Sequence, residues 1–271
     1  MVNVLSKYNV IMASEKTITV NDFNLFYDLM KSTVKIVEAA KFQVSENGLA
    51  IYGARKPYAR CELTTNAISS DEDIEFSIAD LQMFVKVLST IKEVHDNDYS
   101  DFKFTVENEK VCFKSKKFKS KFQTQKESII EKWLATKVQT KLNPVFEFTT
   151  TPELIRRIRN HQFIFTDVSS MRIYLETKED MENNVLFATV GNKQTSLNNE
   201  VTMKFGLVTY GALKDRSLIL DVDRLNLLDA VQTNDIKVSL MDANVLVSDV
   251  TVKGKNDTFF NVKLYTSILK A

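Results

Sequence analysis

Glycine and proline are scarce in this chain of 271 residues: six Gly and three Pro. So few glycines leave no material for the Gly-rich loops that cradle phosphates, and neither G-x-G-x-x-G nor G-x-x-x-x-G-K-[ST] occurs. Two cysteines, Cys61 and Cys112, stand far apart without a C-x-x-C. They are expected to be reduced, buried thiols in a reducing compartment. Two histidines, His95 and His161, are too few for a His-based metal centre, so no metal and no cofactor is expected. Charge of one sign is also lacking, with 36 Lys and Arg against 35 Asp and Glu. An anionic partner must therefore be met by local patches rather than a global field. No apolar run approaches the ~18 residues of a membrane span, and residues 1–16 carry no long apolar stretch behind basic residues. Neither a membrane segment nor a secretory signal is expected.

What is abundant is apolar and aromatic material, 44% hydrophobic with 18 Phe, enough for one or two cores. It is organised as a pattern that recurs four times: a strand, an amphipathic helix of about three turns, then three alternating strands. The first copy begins at Thr17. Asn21 or Asp22 caps a helix reaching about Ala40, with Phe23, Phe26, Met30, Val34 and Val37 on one stripe. Strands KFQVSE, LAIYGA and ARCELTT follow, with turns at Asn47-Gly48 and Lys56-Pro57. The second copy begins at Ile74, and Asp80 or Ser77 opens a helix with Leu81, Phe84, Leu88 and Ile91 inward. The third begins at Val145. Its Thr151-Pro152-Glu153 combines a hydroxyl cap, proline at the first helical position and an acid in the first turn, with Leu154, Ile155 and Ile158 inward. The fourth begins at Ser217 and places a helix through Leu225, Leu228 and Val231. Residues 127–144 lack alternation and read as a connector. The expected organisation is an N-terminal domain over 1–126, a connector over 127–144 and a C-terminal domain over 145–271, each domain holding two β-α-β-β-β units.

The order and spacing of these units, with SIADLQMFVKVLS at 77–89, SLILDVDRLNLLDAVQTNDIKVSLMDANVLVS at 217–248 and NVKLYTSIL at 261–269, resemble the DNA polymerase sliding clamps of phage and of the proliferating cell nuclear antigen type. The resemblance covers about residues 17 to 269. It implies an α+β fold of two tandem processivity-fold domains, assembling into a closed ring with helices lining the hole. It implies a homotrimer, because the family's hole is built from six similar domains and this chain supplies two. It implies a non-enzymatic tether that holds the replicative polymerase on duplex DNA, placed there by a clamp loader. The leaning toward phage clamps implies a viral protein in the cytoplasm of an infected bacterial cell.

Such a clamp meets phosphates without reading sequence. The candidates are the cations on the polar faces of the first three helices: Lys31 and Lys35, Lys86 and Lys92, and Arg156, Arg157 and Arg159 in the run RRIR. The fourth helix offers only Arg224, beside Asp223 and Asp229. A second basic run, Lys110, Lys114, Lys116, Lys117, Lys119 and Lys121, is expected on strands away from the hole, as the solvent face of an edge strand that lysine guards against pairing. By resemblance, partner peptides with apolar and aromatic anchors dock beside the connector and the C-terminal tail. Here those segments hold Ile129, Ile130, Trp133 and Leu134, then Tyr265, Ile268 and Leu269. The acid clusters Asp71-Glu72-Asp73 and Glu179-Asp180 lie in turns with no paired His or Lys, so they are expected to be solvated and catalysis is not expected. The other reading of the composition is a β-rich structural or scaffold oligomer, such as a virion component, that never touches DNA.

Overall fold

The computed structural model describes residues 15–55, 59–107, 109–124, 141–162, 172–177, 184–191, 201–211, 213, 218–220 and 235–267. Four units are visible in chain order. The first is β1 (Lys16–Val20), α1 (Phe23–Ile36), β2 (Ala40–Ser45), β3 (Gly48–Arg55) and β4 (Ala59–Thr65), followed by a two-residue strand β5 (Ile68–Ser69). The second is β6 (Ile74–Ile78), α2 (Leu81–His95), β7 (Lys103–Glu107), β8 (Lys110–Lys114) and β9 (Lys119–Gln123). The third is β10 (Pro144–Thr150), α3 (Pro152–Gln162), β11 (Arg172–Thr177), β12 (Val185–Gly191) and β13 (Val201–Tyr210). The fourth has β14 (Leu218–Leu220), β15 (Ile236–Met241), β16 (Val245–Lys253) and β17 (Phe259–Ser267). The helix expected through Leu225, Leu228 and Val231 lies outside the described residues, as do the turn at Lys56-Pro57 and most of the connector.

The helix starts follow the sequence chemistry. Asp22 caps α1 by accepting from the Leu25 amide at 3.0 Å, and Asp80 caps α2 by accepting from Met83 at 2.8 Å. Thr151 opens α3, its hydroxyl accepting from the Leu154 amide at 3.3 Å. One expectation is corrected: α1 stops at Ile36 rather than near Ala40. Val37 turns to an extended backbone (φ −138°, ψ 152°), and Ala40 already pairs in β2. β-Branched Val37 stays buried by packing on β3 instead. At Gly53 of β3 even a methyl group would stand 2.7 Å from a Val37 methyl, so the end of α1 needs glycine there. Gly48, in the expected Asn47-Gly48 turn, has φ +115°, a backbone that favours glycine.

Among the described residues every strand pairing is antiparallel, in a five-stranded sheet β5-β1-β7-β8-β9 and a twelve-stranded sheet β14-β11-β12-β13-β10-β15-β16-β17-β4-β3-β2-β6. α1 and α2 run antiparallel, joined at one end by Leu81 N–H to Glu38 O at 3.0 Å and at the other by Asn24 Nδ2 to Asn97 Oδ1 at 3.2 Å. Their apolar faces close on an aromatic core of Phe26, Phe42, Phe76, Phe84, Phe104 and Phe113. A smaller one forms around Phe146, Phe148 and Phe205. Removing one such buried ring costs about 3–5 kcal/mol. Both cysteines are free and buried, and burial pushes the Cys61 thiol up to about 12.

The long sheet crosses from the last unit to the first because β17 pairs with β4, from Phe260 opposite Thr65 to Thr266 opposite Ala59. Side chains stitch this junction. Asn66 accepts from the Phe259 amide at 2.8 Å and donates to the Asp257 carbonyl at 3.2 Å. Thr258 donates to Asp22, the α1 cap, at 3.1 Å.

Candidate nucleic-acid interface

The helices cover one face of the sheets, and the cations of interest sit on their outer sides. On α1, Phe23, Phe26, Leu29, Met30 and Ile36 are buried, while Asp28, Lys31 and Lys35 form an exposed row. Ser32 and Thr33 are buried on the same helix without penalty, because their hydroxyls donate back to the Asp28 and Leu29 carbonyls at 3.0 and 2.8 Å.

Lys31 and Lys92 converge although they lie on different helices. The ammonium of Lys31 is 5.5 Å from the centre of the Tyr27 ring, and that of Lys92 is 5.0 Å from it. Tyr27 thus holds two cations on one ring, each worth about 0.5–1 kcal/mol at an exposed site. That Tyr27 lies one turn back from Lys31 is legible in the sequence. The approach of Lys92 across the α1–α2 contact is not, so the ring's role emerges only from the packing. Lys35, with Asp28, Lys31 and Ser32, lines a cavity of about 110 Å³ closed by Val252 and Phe260, at the foot of the junction between first and last units. Lys86 is exposed on the outer side of α2, where Ser89 and Glu93 pair at 3.4 Å.

On α3, Ile155 and Ile158 are fully buried while Leu154 is only half-buried. The RRIR run does not present three equal forks. Arg157 forms an ion pair with Glu153 one turn earlier, at 2.5 Å. Arg156 turns its Nε back to donate to the Pro152 carbonyl at 3.2 Å, and Arg159 is half-buried. Arg156 and Arg157 remain exposed.

Of the candidate partner-binding residues, Ile129, Ile130, Trp133, Leu134, Ile268 and Leu269 lie outside the described residues. Tyr265 is in β17, opposite Arg60 of β4, with its hydroxyl 3.4 Å from a Glu62 carboxylate oxygen. Burial first, and the Glu62 charge second, push its phenol up to about 12. In the other half, Glu147 on β10 accepts from Ser239 at 2.7 Å and pairs with Lys237 at 3.1 Å; the Ser239 hydrogen bond is the main reason its carboxyl is held below the usual range.

The second basic run occupies the opposite face of the five-stranded sheet from the helices. Phe104, Phe113 and Phe122 point toward α1 and α2, so the alternating residues between them point away. β9 is an edge among the described residues, as expected, but Lys110 and Lys114 are on β8, an interior strand. Among the described residues no group of three or more His, Cys, Asp or Glu is placed to hold a metal, and no helix is long and apolar enough to cross a membrane.

No family model matches the sequence, and no curated protein does. Solved structures do match. One is proliferating cellular nuclear antigen (PCNA) from Entamoeba histolytica, at 16% identity and TM-score 0.66, covering 96% of this chain and 100% of that one. Another is A. fulgidus PCNA bound to the C-terminal region of FEN-1, at 14% identity and TM-score 0.67, covering 95% and 99%. A third is the PCNA2–PCNA3 complex of Sulfolobus tokodaii, at 12% identity and TM-score 0.60, covering 94% and 99%. At these identities the likeness is one of fold, and over nearly its whole length this chain has the α+β sliding-clamp fold.

Proposed function

We propose that a chain with this fold works as a DNA sliding clamp: a ring of three copies that encircles duplex DNA and tethers a replicative polymerase, with no catalysis of its own. The observation that carries the reading is the pairing of unit ends. The last strand of the fourth unit, β17, joins the last strand of the first, β4, inside the chain. The last strands of the other two units are left over. Among the described residues β9 pairs on one side only, and the 201–204 stretch of β13 pairs with β12 while its other side has no strand partner. Two complementary unpaired edges on one chain make a head-to-tail contact between copies, and such contacts close into a ring when the rotation fits. Three chains of two domains each, 1–126 and 145–271 joined by 127–144, bring six similar parts round the hole. The resulting inner surface carries Lys31, Lys35, Lys86, Lys92, Arg156, Arg157 and Arg159. Flexible lysines suit sequence-independent phosphate contact.

The partner site is proposed by analogy with the A. fulgidus clamp, which holds a FEN-1 C-terminal region. Ile129, Ile130, Trp133, Leu134, Tyr265, Ile268 and Leu269 are the residues assigned to it here, for a polymerase or a clamp loader. The deciding experiment is primer extension by the cognate polymerase on primed circular DNA, with and without this protein and a loader, alongside sedimentation of the protein alone. Longer products per binding event, and a threefold mass at high concentration, are expected. Unchanged product length together with a closed two-fold dimer would favour the scaffold-oligomer reading instead.

A further inference from the structure

The lysines on the outer face of the first domain's sheet are placed in a way that edge protection does not explain. Lys103 of β7 stands directly opposite Lys114 of β8, and Lys114 directly opposite Lys119 of β9. All three are exposed. Like charges opposite one another across strands are destabilising, and here two such pairs lie in one row over three strands. Lysine on β9 guards a free edge, but Lys103 and Lys114 are interior to the sheet. Lys110 and Lys121 stand on the same face, and Lys116 and Lys117 in the adjoining turn. Among the described residues the single ion pair in this set is Lys121 with Glu107, at 3.9 Å. Glu15 reaches the face near Cys112, and Asp101 is engaged by the Lys116 amide at 2.9 Å.

The junction inside the chain shows how the same architecture is built when it is electrically balanced. On its outer face Asn261, Lys263 and Tyr265 of β17 face Thr64, Glu62 and Arg60 of β4. Lys263 has Asp249 at 3.7 Å, and Tyr265 has Glu62 at 3.4 Å. By the unit repeat, β9 stands where β17 stands, and the start of β13 where β4 stands. The outward residues brought together between copies are then Lys119, Lys121 and Gln123 on one side, with Thr202 and Lys204 on the other. Among the described residues no acid takes the place of Glu62, and lysines at 110 and 114 flank the seam where Asp249 balances the other one.

We propose that this seam is a binding site for a multivalent oxyanion, made of Lys114, Lys119 and Lys121 of one copy and Lys204 of the next, and that the anion strengthens closure of the ring. The inference rests on the ring reading above. Adjacent strands are about 5 Å apart and alternate residues about 7 Å along a strand, so the ammonium groups form a grid that a condensed phosphate can span. Lysine binds phosphate as a point charge without fixed geometry. The residues between them on this face, Thr17, Thr105 and Cys112, supply no aromatic ring for base stacking, which single-strand binding uses. An anion removes the mutual repulsion of the lysines and so favours the closed state in which they are gathered.

The test is sedimentation equilibrium of the full chain with inorganic tripolyphosphate, against sodium chloride at the same ionic strength, for the wild type and for K119Q/K121Q. Tripolyphosphate should lower the wild-type trimer midpoint by roughly tenfold in protein concentration beyond the chloride control. The variant should trimerise readily without it and ignore it, with an unchanged far-ultraviolet circular dichroism spectrum. A wild-type trimer that responds equally to both salts overturns the anion site and leaves the ring standing. Absence of any trimer, in wild type and variant alike up to high concentration, overturns the ring reading and the site with it.

Discussion

Tyr265 shows how one side chain ties a chemical property to an architectural one. Its phenol lies in the β17–β4 junction beside Glu62, and burial with that charge moves it from the ordinary 10.0 up to about 12. The fold therefore favours the neutral phenol. The stabilisation is complete below pH 10 and is lost as pH rises through 12, because the unfolded chain releases the proton first. Tyr265→Phe removes the titration. The urea-midpoint difference between wild type and Tyr265→Phe should accordingly shift in the variant's favour between pH 10 and pH 12. A difference that stays constant over that interval would show that the junction does not hold the proton.

At the scale of an element, α3 illustrates the gap between counting arginines and finding available charge. Arg157 is paired with Glu153, Arg156 leans on the helix's own first turn, and Arg159 is half-buried. An exposed pair of this kind is worth about 0.2–1 kcal/mol, so it would weaken Arg157 in the proposed role of phosphate ligand without removing it. Glu153→Gln is expected to raise affinity for a duplex oligonucleotide at low salt by about two- to fivefold, the equivalent of that pair. The Arg156, Arg157 and Arg159 triple alanine variant should lower affinity and reduce the salt slope by about 0.9 for each phosphate it no longer neutralises. Fluorescence anisotropy across salt reads both. If Glu153→Gln weakens binding, the carboxylate is orienting the guanidinium and α3 works differently.

For the whole molecule, the continuous twelve-stranded sheet couples the two halves. Ladder hydrogen bonds and the Asn66 and Thr258 side chains cross the junction, so neither half loses its strands without exposing the other's edge. Calorimetric unfolding of the full chain is expected as one transition. Asn66→Ala leaves the Phe259 amide without its side-chain acceptor, which costs about 1–3 kcal/mol, and should lower the midpoint. Two well-separated transitions in the wild type would mean that the halves unfold independently and that the shared sheet does not couple them.

Periodicity, caps and turn residues are local properties, and they are enough to place α1, α2 and α3 and the strands around them; the helix expected in the fourth unit lies outside the described residues. Asp22, Asp80 and Thr151 act within three residues of themselves, and the alternation of Phe42 and Val44 with polar neighbours needs only a pleated strand. The end of α1 is misplaced by the same signals, because Val37 continues the helical stripe in sequence yet packs from an extended backbone against Gly53, a contact made only in three dimensions. The same holds for the candidate interface. That Lys31 and Lys92 share Tyr27, and that Lys103, Lys114 and Lys119 form one row, depends on helix packing and strand register. So does the pairing of β17 with β4, between residues some 200 positions apart. Charge on a helix face is written in the chain; which charges meet is decided by tertiary packing, because electrostatic contact depends on distance through space, and sequence separation carries no information about it.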